Sequence, residues 1–128
     1  TAGAINLVMA GYLLWVARGD RFAAIAPSAA ATTESIDRAP PRPVMHVAGT
    51  NDPLVKYEWQ QKMMDAVRAH NRCDEGKPWG TMGREYGSKA GAPLIANLHA
   101  GTHKFPAEAP AAIVKFFQSH PTDGAAAR

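Results

Sequence analysis

Three short runs of this chain, Phe22–Pro27, Val44–Ala48 and Pro93–His99, are apolar almost throughout, with no alternation of polar and apolar positions. A strand with water on one side alternates; a continuous apolar run suits a strand covered on both faces. Helical periodicity fills the intervals, over Glu58–Asn71 through Trp59, Met63, Val67 and His70, and over Ala107–Ser119 through Ile113, Phe116 and Phe117. A further helix is expected at Ala2–Arg18, closed by Gly19 and Asp20. Strands separated by helices make α/β the expected class, with parallel strands flanked by helices.

The Ala2–Arg18 segment carries Ile5, Val8, Met9, Tyr12, Leu13 and Val16 at helical spacing, and Leu7, Leu14 and Trp15 fill much of the other face. A helix apolar on nearly all sides is expected to be buried on nearly all sides. Three strands and two further helices offer too little cover for it, and a parallel sheet normally has more strands. The expectation is therefore that residues 1–121 are the C-terminal part of a larger domain, with 122–128 a frayed tail. By the same argument, residues 1–128 alone should not form a stable monomer. They should need an upstream polypeptide half or a partner chain. The stretches Ser28–Arg42, Arg72–Gly91 and Ala100–Pro106 read as loops, the second with one short strand near Tyr86.

Composition removes several function classes. A length of 128 residues suits one domain, and 46% hydrophobic residues suffice for a packed core. The net charge of +3 comes from basic residues scattered singly, which argues against a nucleic-acid partner. The uncharged stretch Ala2–Ala17 is shorter than the roughly 20 residues a membrane span needs, and Asn6 and Gly11 interrupt it. No basic segment precedes it, so it does not read as a signal peptide. The lone Cys73 excludes a disulfide framework within the chain and reads as an inert or formerly bridged thiol.

Two loops carry side chains that can hold or move a proton. Asp52 follows the strand ending at Ala48, in the turn Gly49-Thr50-Asn51-Asp52-Pro53, and His103 follows the strand ending near His99. In open parallel sheets, ligands bind beyond the carboxyl ends of the strands. If both strands share a sheet, the two loops emerge on one edge and could form the acid–histidine half of a nucleophilic triad. An aspartate in such a turn also serves turn chemistry, and a loop histidine is often merely solvated. His46, His70, His99 and His120 have no convergent acidic partners, so neither a metal nor another cofactor is expected. His46 and His99 read as hydrogen-bonded core or rim residues.

These residues resemble the polyhydroxybutyrate depolymerase and feruloyl esterase family of α/β-hydrolases. Asp20-Arg21 with Phe22–Pro27 looks like the strand after that family's nucleophile helix. His46–Pro53 resembles its acid loop, H-x-x-G-T-x-D-P, and Asn71-Arg72-Cys73 its N-x-C element. Gly101–Pro106 resembles its histidine loop G-G-H-x-W-P, with Thr102 and Phe105 as departures, and Phe116, Phe117, His120 and Pro121 resemble its closing helix. The resemblance covers most of the chain in order. It implies a partial α/β-hydrolase fold, with the N-terminal half of the sheet outside this sequence.

By that resemblance Asp52 is the triad acid and His103 the base. Thr1-Ala2-Gly3-Ala4 looks like the end of the G-x-S-x-G elbow with Thr1 in the serine position, over a spacing to Asp20 longer than usual. Thr1 can equally be just where the sequence begins, and the nucleophile is then a serine elsewhere. The implied activity is hydrolysis of a carboxylic ester through an acyl-enzyme, on polyhydroxyalkanoate-type or feruloyl-type esters, in a secreted or periplasmic protein. Two alternatives stand beside it: a catalytically inactive subunit or fragment that completes a hydrolase sheet, and a peptidase or thioesterase of the same fold.

Overall fold

The structure, a computed structural model, describes residues 11–32 and 35–121. Residues 11–18 are helical (α1) and end in a single 3-10 turn, Gly19–Arg21. The strands are β1 (Val44–Gly49), β2 (Lys77–Trp79), β3 (Gly83–Tyr86) and β4 (Leu94–His99), and the helices are α2 (Tyr57–His70) and α3 (Ala109–Ser119). The sheet order is β1-β4-β3-β2. β1 and β4 run parallel in the register Val44↔Leu94 to Gly49↔His99, so both strands end at the same level. The fold is mixed α/β.

The all-parallel expectation needs correction. Arg72–Gly91, read as a loop with one strand, contains the hairpin β2–β3, whose β3 pairs antiparallel with β4. Pro78 is tolerated because β2 is an edge strand, and Gly80 takes the positive φ of +60° that the turn requires. Local sequence there is Gly-rich and polar; its strand character comes from the partner it finds in β4.

The first expected strand is displaced and broken. Phe22 and Ala23 lie outside it, and residues 25–29 run parallel beside β1 through two isolated bridges, Ile25↔Val44 and Ser28↔Val47. Ile25 N–H donates to the Pro43 carbonyl at 3.0 Å and Ala29 N–H to that of Val47 at 2.8 Å, while Pro27, between them, has no N–H to give. One missing donor is enough to interrupt a ladder this short.

Alternation along β1 and β4 sends their side chains to two cores. Val44, Leu94 and Ala96 meet Tyr12 and Trp15 of α1 and Met63, Met64 and Val67 of α2. Met45, Val47 and Ile95 meet Ala109 and Phe116 of α3 on the opposite face. Two helix faces differ from expectation. In α2 the buried stripe is Gln60, Met63, Met64 and Val67, rotated by one position so that Trp59 is 49% exposed under the Lys56 ammonium. In α3, Phe116 is buried while Phe117 is 43% exposed and Ile113 is partly covered.

The first helix also differs. In its described part Tyr12 and Trp15 are buried, but Leu13 and Leu14 are exposed, so burial on nearly every side does not hold there. The expected Ala2–Ala10 portion and the tail 122–128 fall outside the described residues. Among the described residues no helix is long and apolar enough to cross a membrane.

Candidate active site

Because β1 and β4 end level, the loops that follow them leave the sheet side by side. They are joined along their backbones. Thr50 N–H donates to the His99 carbonyl at 2.9 Å, Asn51 N–H to that of Gly101 at 3.1 Å, and the Asn51 amide to that of Ala100 at 2.7 Å. Gly49 makes this approach possible, since a Cβ there would overlap the carbonyl oxygens of Gly101 and Thr102. The first loop is thus a template for the second.

Asp52 and His103 meet on that template, with Oδ2 and Nδ1 2.9 Å apart. The Asp52 side chain is fully buried and that of His103 is 20% exposed. Oδ1 accepts from the backbone N–H groups of Leu54 at 2.8 Å and Val55 at 3.0 Å, an Asx turn that leads into α2. Oδ2 accepts a third hydrogen bond, from the Gln60 amide at 3.3 Å. Burial by itself raises the Asp52 carboxyl. The hydrogen bond from His103, those from Leu54 and Val55, and the charge of a protonated His103 outweigh burial and hold it below its ordinary value.

An ionised carboxylate only accepts hydrogen bonds, so the neutral His103 ring donates from Nδ1 and keeps a lone pair on Nε2. Among the described residues Nε2 has no hydrogen-bond partner. The arrangement can therefore take a proton at Nε2 and stabilise the resulting imidazolium through Asp52. Turn chemistry and pairing with a histidine are both present at Asp52; neither excludes the other.

The other histidines are used differently. His46 is completely buried in β1, with Nδ1 2.6 Å from the Tyr12 hydroxyl and Nε2 2.9 Å from Gln60 Oε1. Desolvation lowers its pKa to about 4, against the hydrogen bond to Gln60, which acts to raise it. Burial raises the Tyr12 phenol, which stays protonated and able to donate. His99 caps its own loop by accepting from Gly101 N–H at 3.2 Å, and His70 bonds the Ala39 carbonyl at 2.7 Å. His120 packs on the Phe116 ring, and burial lowers its pKa.

Among the described residues no three His, Cys, Asp or Glu side chains gather as metal ligands would. Cys73 is a free thiol whose pKa is raised by burial, which makes it a poor nucleophile. Thr1 lies outside the described residues. The helical spacing through Trp59, Met63 and Val67 leaves Gln60 off the expected apolar stripe of α2. The signal that could have found it is the spacing of 60, 63, 64 and 67, which places a glutamine on the apolar face. The chain matches no protein-family model and no curated protein.

Proposed function

We propose that this chain carries the acid–base half of a serine-type carboxylic ester hydrolase built on a partial α/β-hydrolase fold. The observation that supports it best is the Asp52–His103 pair, 2.9 Å apart, in the loops after two adjacent parallel strands. Asp precedes His in the chain, which is the order of α/β-hydrolases. Segment 25–29 pairs with β1 on one side, and among the described residues no strand lies on its other side. An elbow strand carrying the nucleophile would belong there.

In this reading His103 Nε2 removes the proton from the nucleophilic hydroxyl as its oxygen attacks the ester carbonyl. The hydroxyl is that of Thr1 or of a serine on polypeptide outside this sequence. The imidazolium, held by Asp52, then passes the proton to the leaving alcohol as the acyl C–O bond breaks. Water attacks the acyl-enzyme with His103 again as base, releasing the carboxylic acid and restoring the hydroxyl. The neutral His103 tautomer, fixed by the buried carboxylate, is what makes each transfer run through Nε2. Substrates are polyhydroxyalkanoate-type or feruloyl-type esters, and the protein is secreted or periplasmic, both by resemblance.

The test is hydrolysis of p-nitrophenyl butyrate by the protein that holds this chain together with its nucleophile, as parent and as two variants. His103→Ala should lower turnover by roughly three orders of magnitude or more, and Asp52→Asn should be comparably severe because the amide favours the wrong tautomer. Turnover within a few-fold of the parent in either variant, with the fold intact by circular dichroism, overturns the assignment.

A further inference from the structure

Beneath the Asp52–His103 pair runs a chain of buried polar side chains that crosses the core from α1 to the loop. Its links are Tyr12 Oη to His46 Nδ1 at 2.6 Å, His46 Nε2 to Gln60 Oε1 at 2.9 Å, and Gln60 Nε2 to Asp52 Oδ2 at 3.3 Å. Tyr12, His46 and Gln60 are all fully buried. Polar groups placed this deep in an otherwise apolar core cost stability unless every one is satisfied.

The direction of each bond follows from one anchor. Gln60 Nε2 also lies 2.7 Å from the Val55 carbonyl oxygen. That carbonyl and the Asp52 carboxylate can only accept, so the NH2 end of the amide must face them both. Oε1 is then turned to His46, whose Nε2 must carry the proton. With Nε2–H occupied, the neutral ring presents a lone pair at Nδ1, and Tyr12 donates to it. Every proton in the chain therefore points toward Asp52.

We propose that Gln60 is a positioning residue for the acid of the proposed hydrolytic site, oriented by the Val55 carbonyl and by the His46 ring. The inference rests on the reading of Asp52 and His103 as a catalytic pair. The backbone amides of Leu54 and Val55 hold Oδ1 from the loop side, and Gln60 holds Oδ2 from the core side. Two-sided restraint leaves the carboxylate one orientation, with Oδ2 presented to His103 Nδ1. Without Gln60 the carboxylate turns about its Cβ–Cγ bond, and His103 loses the contact that selects its tautomer. A misplacement of about 1 Å at such a group costs on the order of 100-fold in rate.

The experiment has an arm that needs no variant. Long-range proton–nitrogen NMR spectra of the full chain should show His46 as the neutral Nε2–H tautomer, and the neutral form of His103 as the Nδ1–H tautomer. His46 protonated on Nδ1, alone or together with Nε2, overturns the proposal. The second arm is Gln60→Met, close in shape but without donors. It should lower kcat for p-nitrophenyl butyrate by about 10- to 100-fold with KM within two-fold, and reduce the Nδ1–H population of His103. A folded variant with unchanged kcat and unchanged His103 tautomer shows a purely structural glutamine and overturns the proposal. If Gln60→Met fails to fold, the parent tautomers decide. A parent inactive on esters with its nucleophile-bearing polypeptide present overturns the hydrolase reading, and the His103 tautomer in the variant then decides the role of Gln60 by itself.

Discussion

On one face of the sheet, α1 and α2 bury Tyr12, Trp15, Met63, Met64 and Val67 against Val44, Leu94 and Ala96, and the chain of polar side chains passes through this layer. On the other, α3 buries Phe116 and Ala109 against Met45, Val47 and Ile95, where the Asn97 amide reaches Met45 Sδ and His120 packs on the Phe116 ring. Both faces are built from alternate residues of the same two strands. The first buries Tyr12, His46 and Gln60 completely, which a hydrogen-bonded support for Asp52 requires. The second is less completely covered, with Ile113 partly buried and Phe117 exposed. Completeness of cover separates the face that seals the polar chain from the face that leaves an aromatic ring exposed.

Deleting an aromatic from each face sharpens this contrast most. Trp15→Ala removes a fully buried ring and the hydrogen bond from its indole to the Pro40 carbonyl at 2.7 Å. It should cost about 5 kcal/mol in urea unfolding, the top of the range for aromatic truncation, and Phe116→Ala about 3, near the bottom. Equal losses would mean that the faces are equally packed.

The next test concerns the polar layer. The unfolded His46 imidazole takes up a proton as pH falls through its ordinary 6.5, while the folded ring resists until about 4. The folded pKa of this base is depressed, so its neutral burial is free of proton linkage above the unfolded value, and stability is lost as pH falls across that window. The loss amounts to about 3 kcal/mol. His46→Gln can accept from Tyr12 and donate to Gln60 without titrating. Unfolding free energies measured between pH 7 and pH 4 should therefore show a flatter slope in the variant; an unchanged slope would place the titration elsewhere. The smallest effect belongs to the edge of the α3 face, where Phe117→Ala should stay within about 0.5 kcal/mol. A larger loss in the same urea series would mean that something covers Phe117.

Much of this molecule could be read from short-range pattern. The acid and histidine loops, β1, β4, α2 and the stop after α1 all lie within a residue or two of where spacing and turn chemistry put them. Errors fell where neighbours decide. Spacing runs the α2 stripe through Trp59, whereas packing on β1 and β4 sets its buried face through Gln60, Met63, Met64 and Val67. Strands β2 and β3 have weak local signals and exist because β4 offers them an edge.

What the sequence by itself determined is the set of parts: apolar runs too continuous for a wet sheet, and two strand-ending loops holding Asp52 and His103. Their chemistry follows from residue type and local turn geometry, which act over a few residues. Tertiary structure alone decided that the two side chains touch, that Gly49 lets the loops close, and that Gln60, His46 and Tyr12 stand behind the carboxylate. The reason is physical. The meaning of a buried polar group depends on the partner that satisfies it, and here those partners are as many as 51 residues apart.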